Sequence, residues 1–184
     1  YNISIKNFEK KLKIAAKKNK LPKIVIPVHY GGFPCDMEKI FKLKNKYKFK
    51  IIEDASHAIG SIYNKFKVGS SIHSDLTVFS FQAVKVITTG EGGSITTNNK
   101  RLYEKIKLLR EHGITKNKKN FKIKKNSEYP WYYEQIDLSF NFILPDINAA
   151  LGLSQLKKID QNIDKREKLV NYYKKKISKN NIKL

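Results

Sequence analysis

Ile5, Phe8, Leu12 and Ala15 recur three and four positions apart with lysines between them, the spacing of one buried stripe on a helix, and Ser4 stands where a cap belongs. The rhythm then changes. Residues 23–28, KIVIPV, form a continuous apolar run of the length expected for a buried strand. Met37, Ile40, Phe41, Leu43 and Tyr47 restore the helical spacing, and 49–52 is a second short apolar run. Helix, strand, helix, strand predicts a βαβ crossover and parallel pairing.

Further along, DLTVFSF (75–81) and GGSITT (92–97) predict two more strands, the second bounded by Gly-Gly and Asn-Asn. Leu102, Ile106 and Leu109 mark a helix over 100–111, and 114–130 is polar, lysine-rich and unpatterned, a loop expected to be mobile. From Asp146 the chain reads as helix to about Lys179, with Ile163, Leu169, Val170 and Tyr173 on its apolar stripe. The pattern predicts one α/β domain with a helical C-terminal extension, and no repeat or linker divides it.

With 184 residues and a 40% hydrophobic share, the chain is long enough to bury a core without staples. Its net charge of +22 raises the question of nucleic acid. Only Arg101, Arg110 and Arg166 are arginines, however, and the lysines are spread along the whole length. A surface built to read phosphates or bases favours the bidentate guanidinium, so the charge reads as a solvated lysine coat with no specific nucleic-acid partner. Cys35 is the only cysteine, which excludes an internal disulfide and a multi-thiolate metal site and points to a reducing cytoplasm. No apolar run is long enough for a membrane span, and YNISIKNFEKK is neither a signal peptide nor a transit peptide. The chain also starts without Met and is expected to be the central piece of a longer protein.

Two stretches carry candidate chemistry. In TVFSFQAVKVITTGEGGSITT (77–97), Lys85 follows a predicted strand and precedes a glycine-rich turn, among apolar and small residues. A lysine held where its amine can be neutral can form a Schiff base with an aldehyde, although a lysine after a strand is more often a solvated turn residue. Ser80, at the strand's end, could meet a phosphate. In IIEDASHAIG (51–60), the strand ends in Glu53 and Asp54, at the carboxyl edge where open α/β sheets place ligands. Asp54 could hold the protonated ring nitrogen of a pyridoxal cofactor or simply cap a following helix. His57 could touch such a ring or serve the core.

Taken together, KIVIPVHYGGFPCDMEKI, KIIEDASHAIGS, VGSSIHSDLTVFSF, TTGEGGSITTN, LLREHGI, PWYYEQIDLSFN and DINAALGLSQLKKID resemble, in order, segments of the DegT/StrS family of pyridoxal-phosphate-dependent nucleotide-sugar aminotransferases. The resemblance implies fold type I of these enzymes, with 1–155 as the central part of the large, mixed-sheet, cofactor-binding domain and 156–184 as a long helix leading to a further C-terminal domain. It implies that Lys85 carries pyridoxal 5′-phosphate covalently and moves the proton in catalysis, that Asp54 faces the pyridine nitrogen, that His57 lies beside the ring and that Ser80 binds the phosphate. Asn141 is similar to the asparagine that reaches the phosphate of a neighbouring subunit, which implies a homodimer with shared active sites. No metal is implied.

Within the family the chain is most similar to the aminotransferases of pseudaminic acid synthesis, which convert a UDP-linked 4-keto-6-deoxy-N-acetyl sugar to its 4-amino form with glutamate as donor. The family's usual His-Pro is here Gln82-Ala83, and its usual Gly and Arg are here Ser139 and Ile143, which loses a charge near Asn141. The family's cofactor-binding glycine turn and stacking aromatic precede the segment present here, so this piece alone is expected to bind cofactor poorly and turn over little or nothing. Another nucleotide-sugar aminotransferase of the family, or a truncated, non-catalytic basic binding module, are the alternatives. His29, Arg110 and His112 are expected to be structural and His73 to lie on the surface, while Trp131, Tyr132 and Tyr133 line either the sugar site or an interface.

Overall fold

The computed structural model describes residues 1–123 and 128–177. In chain order these form α1 (Ile5–Lys17), β1 (Ile24–Val25), α2 (Met37–Tyr47), β2 (Lys50–Asp54), β3 (Ile62–Tyr63), β4 (Phe66–Lys67), β5 (Leu76–Ser80), β6 (Gly93–Thr96), α3 (Lys100–Arg110), β7 (Ile114–Thr115), β8 (Glu134–Gln135), α4 (Asp146–Leu156) and α5 (Ile159–Ile177). The main sheet runs β1-β2-β5-β6. Its first two pairings are parallel and β6 returns antiparallel to β5, so the sheet is mixed.

The helices start where short polar side chains satisfy free N–H groups. Ser4 Oγ accepts from Asn7 N at 3.4 Å, Asp36 Oδ1 from Lys39 N at 3.3 Å, and Asn99 Oδ1 from Leu102 N at 3.1 Å. The apolar stripes of α1 and α2 then meet one face of the sheet. Leu12, Met37, Ile40, Leu43, Phe49 and Ile51 make a buried cluster, with Phe8 edge-on to Phe49 at 5.8 Å. Ile40 and Ile51 are fully buried, each worth about 1.5–3 kcal/mol of transfer free energy.

Residues 23–28 differ from the expected buried strand. Only Ile24–Val25 pairs continuously with β2, Val28 makes an isolated bridge to Asp54, and Ile24, Ile26 and Val28 are exposed. The run lies at the sheet's edge and Pro27 has no N–H to donate, so the ladder breaks there. Val25 and Pro27, on the alternate face, are the residues directed to the helices. His73 also departs from expectation: it is half-buried, its ring packs against Phe41 and Tyr63, and its Nδ1 has no hydrogen-bond partner among the described residues.

The lysine-rich segment expected as a loop over 114–130 carries the short strand β7 and a single 3-10 turn over Lys118–Asn120. Residues 124–127 of that expected loop, and 178–184 of the helix expected to run to about Lys179, lie outside the described residues. After α3 the chain turns through Gly113, at φ +72°, where an added Cβ would stand 1.9 Å from the Asp137 carbonyl oxygen. That oxygen belongs to backbone pinned by the Ile136 and Asp137 N–H groups, both bonded to Gly113 O, so it has little room to yield. Gly113→Ala is therefore expected to destabilise the chain by about 2–4 kcal/mol in urea denaturation, from strain at positive φ and overpacking together. A loss under about 0.5 kcal/mol would contradict this close approach.

Candidate active site

The parallel pairing of β2 with β5 brings Asp54 opposite Val78, so that Asp54 and Ser80 emerge on one face near the carboxyl ends of adjacent strands. This edge of a parallel pair is where α/β sheets collect ligand-binding groups. Asp54 is half-buried and its Oδ1 accepts from Ser56 N at 3.0 Å. No helix follows β2, so the helix-cap alternative becomes an Asx turn. Burial raises the Asp54 pKa, but the Ser56 hydrogen bonds and the nearby His57 and Lys85 bring it below its ordinary value, so the carboxylate is ionised at neutral pH.

Lys85 sits on a turn beyond β5, its N–H bonded to Gln82 O at 3.0 Å. The enclosed apolar setting expected from the sequence is not what the structure shows. Lys85 is half-buried, with Gln82, Ala83 and Val84 exposed beside it. Its ammonium makes no hydrogen bond or ion pair among the described residues, while its charge acts on Asp54. Ser80 Oγ accepts from Gln82 N at 3.4 Å, leaving its own proton available to an anionic oxygen. His57 is exposed, with the Tyr30 ring edge-on to it at 6.3 Å.

The TTGEGG motif closes the loop that presents Lys85. Phe81 N donates to Gly92 O at 2.8 Å and Thr89 N to Phe81 O at 2.9 Å, so the base of the loop is tied like a short ladder. Thr88 Oγ1 also donates to Phe81 O at 3.1 Å, and the Asn148 side chain donates to Thr89 O. Gly93 is required because a Cβ there would meet Phe79 O at 2.6 Å. Gly152 lets α4 approach, since a Cβ there would stand 2.7 Å from Thr89 Cγ2. Thr88, Thr89 and Asn148 were not singled out by the sequence reading; the paired threonines before Gly-Glu-Gly-Gly were the available signal.

Asn141 makes no hydrogen bond to Lys85, Asp54 or Ser80 among the described residues. It is exposed at the end of α3, bridged to Glu111, with its Oδ1 accepting from Ile143 N at 3.0 Å. Ser139 takes a structural part, donating to Leu109 O at 2.6 Å, and Ile143 is exposed. Trp131 is exposed and stacked on Tyr129, while Tyr132 packs edge-on to Phe121.

Behind Asp54, on the opposite face of β2, lies a buried polar network. Glu53 is 5% exposed and accepts from His29 Nε2 at 2.8 Å, from Thr77 Oγ1 at 3.0 Å and from the Ser74 hydroxyl. Burial disfavours a charged His29 ring, whereas its contacts with Cys35 and Glu53 favour one. The Cys35 N–H already fills the Nδ1 lone pair at 3.1 Å, leaving no place for a second proton, so the geometry holds the neutral Nε2–H form. Asp75, just before β5, accepts from Ile51 N at 2.8 Å and pairs with Lys44.

These carboxylates predict acid sensitivity. Burial raises the pKa of Glu53 and of Asp75, yet hydrogen bonds from His29, Ser74 and Thr77 to Glu53, and the Lys44 and Lys50 charges with the Ile51 N–H at Asp75, outweigh it and hold both below their ordinary values of 4.5 and 3.8. Groups with depressed folded pKa contribute stability above their unfolded pKa and lose it as pH falls through the folded value. The melting temperature is thus expected to be insensitive to these groups above about pH 5 and to fall below about pH 4. Glu53→Gln is expected to flatten that fall; an unchanged pH profile would contradict the role given to Glu53.

No helix among the described residues is long and apolar enough to cross a membrane. The fold is shared with solved structures. Helicobacter pylori PseC, an aminotransferase involved in the biosynthesis of pseudoaminic acid, superposes with a TM-score of 0.82 at 36% identity over 96% of this chain and 42% of its own. Streptococcus pneumoniae Spr1654 matches with a TM-score of 0.77 in both its PLP form and its PMP form, at 27% and 28% identity, over 96% of this chain. In sequence, the UDP-4-amino-4,6-dideoxy-N-acetyl-beta-L-altrosamine transaminase of Campylobacter jejuni strain 81-176 is 44% identical over 173 residues, 94% of this chain and 43% of that protein. The chain thus spans less than half the length of these relatives. All 184 residues, including Lys85, Asp54 and the loop that joins β5 to β6, match one family pattern, and the chain belongs to the DegT/DnrJ/EryC1/StrS aminotransferase family.

Proposed function

We propose that this chain is the central, cofactor-binding part of a pyridoxal-5′-phosphate-dependent aminotransferase that moves an amino group from glutamate to the C4 ketone of a UDP-linked 4-keto-6-deoxy-N-acetyl sugar. The observation that carries this reading is the convergence of a lysine with no ion pair among the described residues, an ionised carboxylate and a serine hydroxyl about the adjoining carboxyl ends of β2 and β5. This donor set fits the cofactor: an amine for its aldehyde, an anion for its pyridinium nitrogen and a hydroxyl for its phosphate. The sugar class is supported by the names of the Campylobacter jejuni and Helicobacter pylori relatives.

When bound, the cofactor supplies an electron sink that makes the donor's α-proton acidic. Asp54 would hold the ring nitrogen protonated through its negative charge, which the Asx turn fixes in place. Lys85 Nζ would hold the cofactor between turnovers and, once freed, take the proton from the donor's α-carbon. The tied base of its loop limits the positions that amine can reach. Ser80 would hold one phosphate oxygen, and His57 would stand at the ring's edge. Asn141, which makes no hydrogen bond to this group among the described residues, would serve the site of a second copy, which makes the working unit a homodimer. Residues 1–155 belong to the large domain in this reading, with 156 onward as the C-terminal extension that contains α5, and cytoplasm is the proposed compartment.

The test is whether the complete protein works in two separable halves. Incubation with glutamate alone should release 2-oxoglutarate once per site, and the isolated protein should then aminate the UDP-4-keto sugar without further glutamate. Release that requires both substrates together, or no amination of any nucleotide-linked keto sugar, would overturn the reading.

A further inference from the structure

His29 is fully buried and tied on every side. Its Nε2 donates to Glu53, its Nδ1 accepts from Cys35 N at 3.1 Å, and its backbone N–H donates to Asp54 O at 3.0 Å. Its own carbonyl accepts from Gly32 N at 3.1 Å, which folds 29–35 into a compact loop. That loop backs onto His57: Tyr30 lies edge-on to the imidazole, and Gly32 is so close that a Cβ would meet His57 O at 2.8 Å. Ser61 Oγ fastens the same loop by donating to Gly32 O at 2.7 Å.

Glu53 and Asp54 are consecutive in β2, so their side chains leave opposite faces of the sheet. Anchoring Glu53 through His29, Ser74 and Thr77 therefore fixes the rotation of the strand at Asp54. Stability alone does not call for such a pair. Burying a carboxylate is costly, and an apolar pair of similar volume often stabilises as well or better. What an apolar pair cannot do is fix orientation through directional bonds.

We propose that His29 and Glu53 form a buried brace whose role is to position Asp54 and His57 toward the cofactor ring. The proposal rests on the cofactor reading above and assigns both as positioning residues, which touch neither substrate nor cofactor. The loop at 29–35 and the end of β2 then move as one body.

The test uses the complete protein. His29→Asn keeps an oxygen within reach of the Cys35 N–H but is too short to reach Glu53, whereas His29→Gln reaches Glu53 and leaves Cys35 without its acceptor. His29→Asn is expected to bind pyridoxal phosphate about tenfold more weakly. The pH midpoint of the bound cofactor's visible band should shift in the same direction as in Asp54→Asn, because a displaced carboxylate holds the ring proton less well. His29→Gln should recover part of both effects. If His29→Asn does not accumulate folded, Ser74→Ala, which removes one hydroxyl from Glu53, carries the same test with a smaller shift of the same sign. Wild-type affinity and midpoint in the folded variants, with only the melting temperature lowered, would overturn the brace while leaving the cofactor reading intact. A wild-type protein that takes up no pyridoxal phosphate would overturn the cofactor reading, and the brace with it.

Discussion

Replacing Lys85 by alanine in the complete protein is expected to abolish covalent retention of pyridoxal phosphate and to lower amino transfer by at least about a thousandfold, because one side chain serves as both attachment point and proton carrier. Folding should be untouched. The side chain makes no hydrogen bond or ion pair among the described residues, and the loop around it is held by the backbone, Thr88 and Thr89 rather than by the lysine. Lys85→Arg keeps the charge near Asp54 but offers a guanidinium that does not form the covalent link. It should therefore be as inactive as the alanine variant. Near-normal turnover in either variant would remove Lys85 from the chemistry.

The second large effect is expected at Asp54. Asparagine preserves the shape and the Oδ1 that accepts from Ser56 N, so Asp54→Asn should keep the Asx turn and melt near the wild-type temperature. It removes the negative charge facing the ring nitrogen, and amino transfer should fall by roughly a hundredfold or more. The contrast separates two roles for the same residue. A turn-forming Asp54 tolerates asparagine; a charge-bearing Asp54 does not. Wild-type activity in Asp54→Asn would leave the residue with the turn alone.

Much of the arrangement could be read from local pattern. The stripes of α1 and α2, the short apolar runs before Glu53 and Ser80, and the glycines after Lys85 each encode one feature within a few residues. The brace could not be read so, because His29, Glu53, Ser74 and Thr77 are separated by up to 48 positions and meet only when β2 pairs with β5. The run at 23–28 misled for a related reason: its apolar content suits a central strand, but edge position is set by the order of strands, which no single segment records. The openness around Lys85 was likewise illegible, since composition along the loop says nothing of what packs across it. Asn141 shows the limit from the other side. Its motif suggests a site role, while among the described residues its side chain accepts from the nearby Ile143 N and its backbone bridges Glu111.

The lysine coat makes the choice of decisive measurement sharper. Among 38 basic residues only three are arginines, so an aldehyde has many surface amines to visit. The central claim is that one of them, Lys85, is the cofactor's attachment point. The complete protein, equilibrated with substoichiometric pyridoxal phosphate, reduced with borohydride and mapped by peptide mass, tests it directly. The account predicts a single dominant adduct on the peptide containing Lys85, lost when glutamate is added before reduction. An adduct scattered over surface lysines, or concentrated on another lysine while the Lys85 peptide stays unmodified in active protein, would contradict it.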